Sequence, residues 1–138
     1  MSTPAAAFER PVPALENASR EYWEAAGRGE LFIQWCAACG HRQLYPRAVC
    51  GECGATPEWE RSSGRGTVYT YTVIRQNHSA PFADAVPYVV AMIELDEGPR
   101  LLSNVTDVDP EDVTIGMPVR VWFADAGDGI GFPMFRPA

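Results

Sequence analysis

Cys36, Cys39, Cys50 and Cys53 are the only cysteines in the chain, and they fall as two Cys-x-x-Cys-Gly turns joined by a short spacer. Two such turns can bring four thiolates onto one tetrahedral ion. Gly40 and Gly54 supply the left-handed backbone that the residue after the second sulfur often needs. The spacing is that of a zinc ribbon. A rubredoxin-like iron is the competing metal, since thiolate ligation alone does not separate the two. Two disulfides are the competing covalent reading, and they would require an oxidising compartment. The stretch Met1 to Ala7 lacks the basic start and apolar core of a signal peptide, and no run approaches the ~18 apolar residues of a membrane span. A cytoplasmic chain with reduced thiols and no membrane association is therefore expected. A closed four-sulfur site has no open position for substrate, so the metal is structural and ties down a stretch too small to build its own core.

The remaining reactive side chains are sparse. All 11 basic residues are arginines, so Schiff-base chemistry, lysine general bases and a phosphate-loop lysine are excluded. No serine sits in a Gly-x-Ser-x-Gly elbow. Of the two histidines, His78 in the long segment Gln76 to Val86 is the best acid-base candidate, with Asp84 as an orienter; a solvated loop histidine is the simpler expectation. His41 follows Cys39-Gly40 and is expected near the metal or at the surface, since four sulfurs already suffice. Arg42, Arg47, Arg65 and Arg75 cluster in sequence around the ribbon and the strand after it, and guanidinium pairs bidentately with phosphate. Arg47 is favoured among them because Tyr45-Pro46 stiffens the chain before it. No self-sufficient catalytic site assembles from this inventory.

Behind these residues stand the elements that must hold them. With 138 residues, 46% hydrophobic, the chain can bury one modest core beside the metal knuckle. Residues 1–12 are Ala/Pro-rich and aperiodic. From Ala14 to Arg28 the positions Leu15, Ala18, Tyr22 and Ala25 fall at helical spacing, Trp23 and Ala26 widen the stripe, and Gly27 and Gly29 stop it. Residues 1–29 are thus read as an arm and an amphipathic helix. Residues 30–61 form the ribbon, with a strand at Leu31 to Trp35 and a partner strand at Trp59 to Arg61. Beyond the breaker at Ser62 to Gly66 the texture is all-β, and residues 62–138 carry five strand-like runs. These are Thr67–Gln76, Tyr88–Leu95, Arg100–Thr106, Val119–Ala124 and Ile130–Phe135. In the first, Val68, Thr70, Thr72 and Ile74 are assigned to one face and Tyr69, Tyr71 and Val73 to the other. Five short strands without a long helix predict a Greek-key barrel of the OB type, with an SH3-like barrel or open sandwich as competitors. The fold class is mainly β: an N-terminal helix, a rubredoxin-like zinc ribbon and a five-stranded OB-fold barrel.

Several separate motifs in this order resemble one family. They are Tyr22-Trp23, the run from Gly29 through Cys39-Gly40, and the run from Tyr45-Pro46 through Cys53-Gly54. Ser63 to Val73, Pro87 to Ala91, Ile115 to Val119 and Phe135-Arg136-Pro137 follow. From about Leu15 onward the chain resembles the zinc-ribbon plus OB-fold family filed as domain of unknown function thirty-five. The resemblance implies a non-catalytic accessory subunit that pairs with a thiolase-superfamily protein, a sterol-carrier-type thiolase or a thiolase-like retro-aldolase. It also implies work on acyl-CoA in steroid side-chain or other lipid degradation. The partner carries the nucleophile, and this chain completes the complex, helps seat the CoA ester or links successive enzymes. A hetero-oligomer follows, two-plus-two if the partner dimerises as its family does. The four arginines then become candidates for the CoA phosphates, and Phe82 for an acyl channel or the partner.

An accessory role demands exposed apolar surface. Tyr22, Trp23, Phe32, Trp35, Phe82, Phe132 and Phe135 are the candidate interface residues, since aromatics dominate interface centres. The opposing reading is an OB-fold module for single-stranded nucleic acid, with Tyr69 and Tyr71 as stacking faces. A net charge of −7, made about two units more negative by a divalent ion on four thiolates, tells against it.

Overall fold

The computed structural model describes residues 13, 15, 18–79 and 82–138. The expected arm, residues 1–12, lies outside the described residues. The helix α1 spans Arg20–Gly27 and buries Tyr22, Ala25 and Ala26. It starts later than the apolar spacing predicts: Leu15 is not helical, and its carbonyl accepts from Arg20 Nη2 at 3.1 Å. The N-cap residue Ser19 makes no side-chain cap bond. A helix this short is stable only where it is packed, and α1 is packed on strands introduced below, so the stripe outlasts the helix.

Three antiparallel strands form the ribbon sheet: β1 (Phe32–Trp35), β2 (Arg42–Gln43) and β3 (Glu58–Arg61), in the order β2-β1-β3. The predicted return strand at Trp59 pairs directly with Gln34 of β1. Five longer strands close the barrel: β4 (Arg65–Ile74), β5 (Tyr88–Leu95), β6 (Arg100–Val105), β7 (Pro118–Gly127) and β8 (Ile130–Pro137). The order around the barrel is β4-β5-β6-β8-β7, and β7 pairs back to β4. The contact between β6 and β8 is parallel and rests on one register pair, Val105 with Phe135. This is the five-stranded OB barrel that the turn spacing predicts.

Strand β5 alternates without a break, sending Val89, Ala91, Ile93 and Leu95 inward. Strand β4 does not. Its register with β5 shifts between Val68 and Thr70, leaving Tyr69 as the extra residue of a β-bulge. The inward set therefore changes parity: Val68 is buried before the bulge, and Tyr71 and Val73 pack on the core after it, while Thr70 and Thr72 are exposed. The single-face reading of Val68, Thr70 and Thr72 fails because period two holds only in an unbulged strand.

Helix, ribbon and barrel share one core. Tyr22, Leu31 and Ile33 lie in the same apolar cluster as Val68, Ile93, Leu101, Val119 and Phe135. The end of α1 meets the β7–β8 turn so closely that a Cβ at Gly27 would overlap the Gly129 carbonyl, and one at Gly131 the Ala26 carbonyl. The Ser62-Ser63-Gly64 breaker is clamped rather than loose. Glu97, in the β5–β6 turn, accepts from Ser62 Oγ and from the Ser63 amide, each at 2.8 Å. Among the described residues, no helix is long and apolar enough to cross a membrane.

Candidate metal centre and apolar cleft

The two cysteine turns are built alike. Cys36 N donates to His41 O at 2.8 Å and Gly40 N to Cys36 O at 2.6 Å; in the second turn Cys50 N donates to Ala55 O at 2.7 Å and Gly54 N to Cys50 O at 3.0 Å. Gly40 and Gly54 both sit at φ 78°, the left-handed backbone expected of them. The first cysteine of each turn is buried and the second exposed at the tip. All four ligand atoms lie within 4.8 Å of one another, with Cys36 Sγ 3.4 Å from Cys53 Sγ and Cys39 Sγ 3.7 Å from Cys50 Sγ. Sulfurs at ~2.3 Å from a tetrahedral zinc are ~3.8 Å apart, so the donor set fits the ion. The thiols also titrate unevenly. Cys50 is drawn down to about 6, first by the Cys53 amide and then by that of Glu52. The His41 amide lowers Cys39, yet lost solvation and hydrogen bonds with the other three sulfurs push it up to about 12. A divalent cation held by four thiolates resolves that conflict. Bound there, zinc supplies cross-linking and no reactive position.

Beside this centre lies a feature that residue spacing did not reveal. Gln34 and Gln43, 3% and 8% exposed, form a buried amide pair. Gln34 Oε1 accepts from Gln43 Nε2 and from the Arg47 amide, both at 2.9 Å, and Gln34 Nε2 donates to Arg47 O at 2.9 Å. Gln43 closes the network by donating to Val49 O at 3.2 Å and accepting from Gly51 N at 3.0 Å. The spacer between the two cysteine turns is thus pinned to β1 and β2. A glutamine at the inward register of each of two paired strands was the only available hint.

The other expected site residues are spread over the molecule. Arg42 is held by Glu60, with Nε to Oε1 at 2.6 Å, and Arg75 by Glu111 at 2.7 Å. Arg42 and Arg47 line one cavity of about 280 Å³. Arg65 and Arg75 flank opposite ends of the barrel's first strand, so the four do not converge. His78 is exposed, and its ring meets Gln76 at 3.1 Å rather than Asp84. His41 is half-buried and serves its turn through its backbone carbonyl.

The aromatic set divides likewise. Tyr22, Trp23 and Phe132 converge, with ring centroids 4.9 Å apart for the first pair and 5.7 Å for the second, both edge-on. They wall a cleft of about 440 Å³ between α1, the ribbon spacer, β6 and β8. Tyr45, Leu101, Leu102 and Met134 add to its apolar lining, and none of its lining residues is charged. Tyr45 and Leu102 are 53% and 56% exposed at its rim. The Tyr45 hydroxyl accepts from Leu102 N at 2.8 Å, and Ser103 Oγ donates to Pro133 O at 2.9 Å, so polar groups bridge the cleft. Phe32 and Trp35 stay on the ribbon, where Phe32 packs on Trp59 at 6.4 Å. Phe82 packs on Tyr88 at 6.1 Å, away from the cleft. Phe135, expected as an exposed interface residue, is 0% exposed. It points inward because β8 continues past it to Pro137 and closes the barrel.

Comparison with known proteins matches residues 23–60 to the ChsH2 rubredoxin-like zinc ribbon domain and residues 59–124 to the ChsH2 C-terminal OB-fold domain. A DUF35 domain-containing scaffold protein of Methanocaldococcus jannaschii is 42% identical over 69% of this chain and 71% of its own length. A probable enoyl-CoA hydratase alpha subunit of Thermomonospora curvata is 38% identical over 94% of this chain. The chain spans 40% of that protein's length. A solved structure described as the Ltp2-ChsH2(DUF35) aldolase superposes with a TM-score of 0.82 and 36% identity, over 91% of this chain and 98% of the matched one.

Proposed function

The chain belongs to the DUF35 family of zinc-ribbon and OB-fold proteins, and we propose that it is a non-catalytic accessory subunit that binds a thiolase-superfamily protein and helps it act on acyl-CoA. The uncharged, aromatic-walled cleft carries this reading. An apolar socket with exposed Tyr45 and Leu102 at its rim is suited to receive side chains of a partner. The likeness to a chain of an aldolase complex supports the same division of labour. The chemistry left to this chain is positioning. Its four cysteines cluster at one closed metal site, and His78 has no acidic partner among the described residues. In this reading zinc holds the ribbon, the ribbon spacer holds Tyr45, and Tyr45 holds one wall of the socket. The partner's nucleophile does the bond-breaking, with steroid side chains or other lipid acyl groups as substrate.

Affinity purification of the tagged chain from its native host, with mass spectrometry of co-eluting proteins, tests the reading. A stoichiometric thiolase-like protein, whose acyl-CoA cleavage rises when this chain is added back, is the expected result. Recovery of nucleic acid, or a salt-sensitive shift of a single-stranded oligonucleotide by the pure chain, would overturn it in favour of an OB-fold nucleic-acid module.

A further inference from the structure

Strand register places three arginines in one row across the barrel. Arg65 of β4 is the direct partner of Arg120 of β7, and Arg120 is in turn the direct partner of Arg136 of β8. Gly66, Val119 and Phe135, each adjacent in its strand, are buried, so alternation turns all three arginines outward. Direct partners have Cβ atoms roughly 4.5–5.5 Å apart, and like charges in that arrangement repel.

The row is not neutralised from within. Arg136 Nε lies 3.3 Å from Asp107 Oδ2, and the guanidinium covers the Trp122 ring at 4.8 Å. That buried Nε nevertheless has no aligned hydrogen-bond partner among the described residues. Asp96 adjoins the other end, where its amide donates to the Arg65 carbonyl at 2.9 Å. Arg65 and Arg120 form no ion pair among the described residues. Asp107 therefore meets one end of the row, while its middle member has an arginine on either side. With 18 acidic residues against 11 basic, the composition could have given Arg120 an acidic neighbour.

We propose that the Arg65-Arg120-Arg136 row is an anion site for a diphosphate-bearing ligand; that this ligand is coenzyme A rests on the accessory reading above. Guanidinium binds phosphate oxygens bidentately. A row crossing three strands about 4.8 Å apart matches linked phosphate groups better than a single carboxylate. The sequence expectation chose Arg65 for phosphate contact but grouped it with residues near in sequence. Its neighbours across the sheet are Arg120 and Arg136.

Calorimetric titration of the full zinc-loaded chain at low salt tests the site with inorganic pyrophosphate, coenzyme A and pantetheine. The first two bind and pantetheine, which lacks phosphate, does not; the double variant R65Q/R120Q loses roughly tenfold or more in affinity, and added salt weakens the wild type. Without ligand at low salt, Arg120→Gln raises the melting temperature, because it removes a like-charged neighbour on both sides. Failure of pyrophosphate and coenzyme A to bind, wild-type affinity in the double variant, or a lowered melting temperature in Arg120→Gln would overturn the site. Binding of pyrophosphate alone keeps the site and overturns coenzyme A as its source. Recovery of a partner protein is a separate observation, so the row and the accessory reading can fail independently.

Discussion

Gln43 donates its side-chain amide to Gln34 Oε1 at 2.9 Å inside the ribbon, and the same oxygen accepts from the Arg47 amide, which fixes the spacer between the cysteine turns to the sheet. Replacing Gln34 by Leu roughly keeps the volume but leaves the Arg47 amide and the Arg47 carbonyl without their partner, and the Gln43 amide with only its bond to Val49 O. Each buried unsatisfied group costs about 1–3 kcal/mol. Gln34→Leu is expected to lose about 2–4 kcal/mol in urea unfolding and to release zinc at lower chelator concentration. Wild-type values for both would show that the network holds nothing.

Metal content and folding should be inseparable in the ribbon. The purified chain is expected to carry one zinc, and Cys50→Ser to carry much less, because a tetrahedral site binds weakly with three sulfurs. Leu31 and Ile33 of the ribbon region share the barrel's core, so metal loss should also blunt the near-ultraviolet dichroism of barrel aromatics. An unchanged barrel spectrum in the stripped protein would mean that the shared core is dispensable.

Two apolar residues should separate binding from folding. Leu102 is exposed at the cleft rim and Phe135 is wholly buried. Leu102→Asp is expected to leave thermal stability almost unchanged and abolish co-purification of the partner. Phe135→Ala should cost about 3–5 kcal/mol as a large-to-small core change, so any lost binding follows from unfolding. The opposite pattern would exclude the cleft as the interface.

Glu97 gives the fold an acid-sensitive joint. Burial raises its pKa, but the Ser63 amide and the Ser62 hydroxyl outweigh that and hold it below the usual carboxylate value. A depressed folded-state pKa contributes stability that is present above the unfolded pKa and lost as pH falls through the folded one. The difference in urea midpoint between wild type and Glu97→Gln is therefore expected to be largest at neutral pH and to shrink below about pH 4. A difference independent of pH would remove the carboxylate from the account.

Local chemistry is what the amino-acid order made legible. The cysteine turns, the glycines after them and the alternating strand β5 follow from neighbours within a few residues, and so does the barrel, whose turns are marked by Gly, Pro and Asp. The bulge at Tyr69 was hidden because period-two patterning cannot register one inserted residue when Thr and Tyr suit either face. Helix α1 is shorter than its stripe because packing against β8 and β1, not spacing, decides where a marginal helix begins. The Gln34-Gln43 pair and the arginine row depend on which strands adjoin. Arg65 and Arg136 lie 71 positions apart in the sequence and two strand pairings apart in the barrel, a relation that no local pattern carries.

Strand β8 does three jobs at once: it pairs with β7, meets β6 through Val105 and Phe135, and receives the end of α1 at Gly131. During synthesis the helix, the ribbon and four barrel strands emerge before it. The apolar faces around Tyr22 and Val105 must then wait for residues 130–137 before they are covered. The late, non-local closure of this seam should set the pace of folding, and a nascent chain stalled before Ile130 would show its core to chaperones.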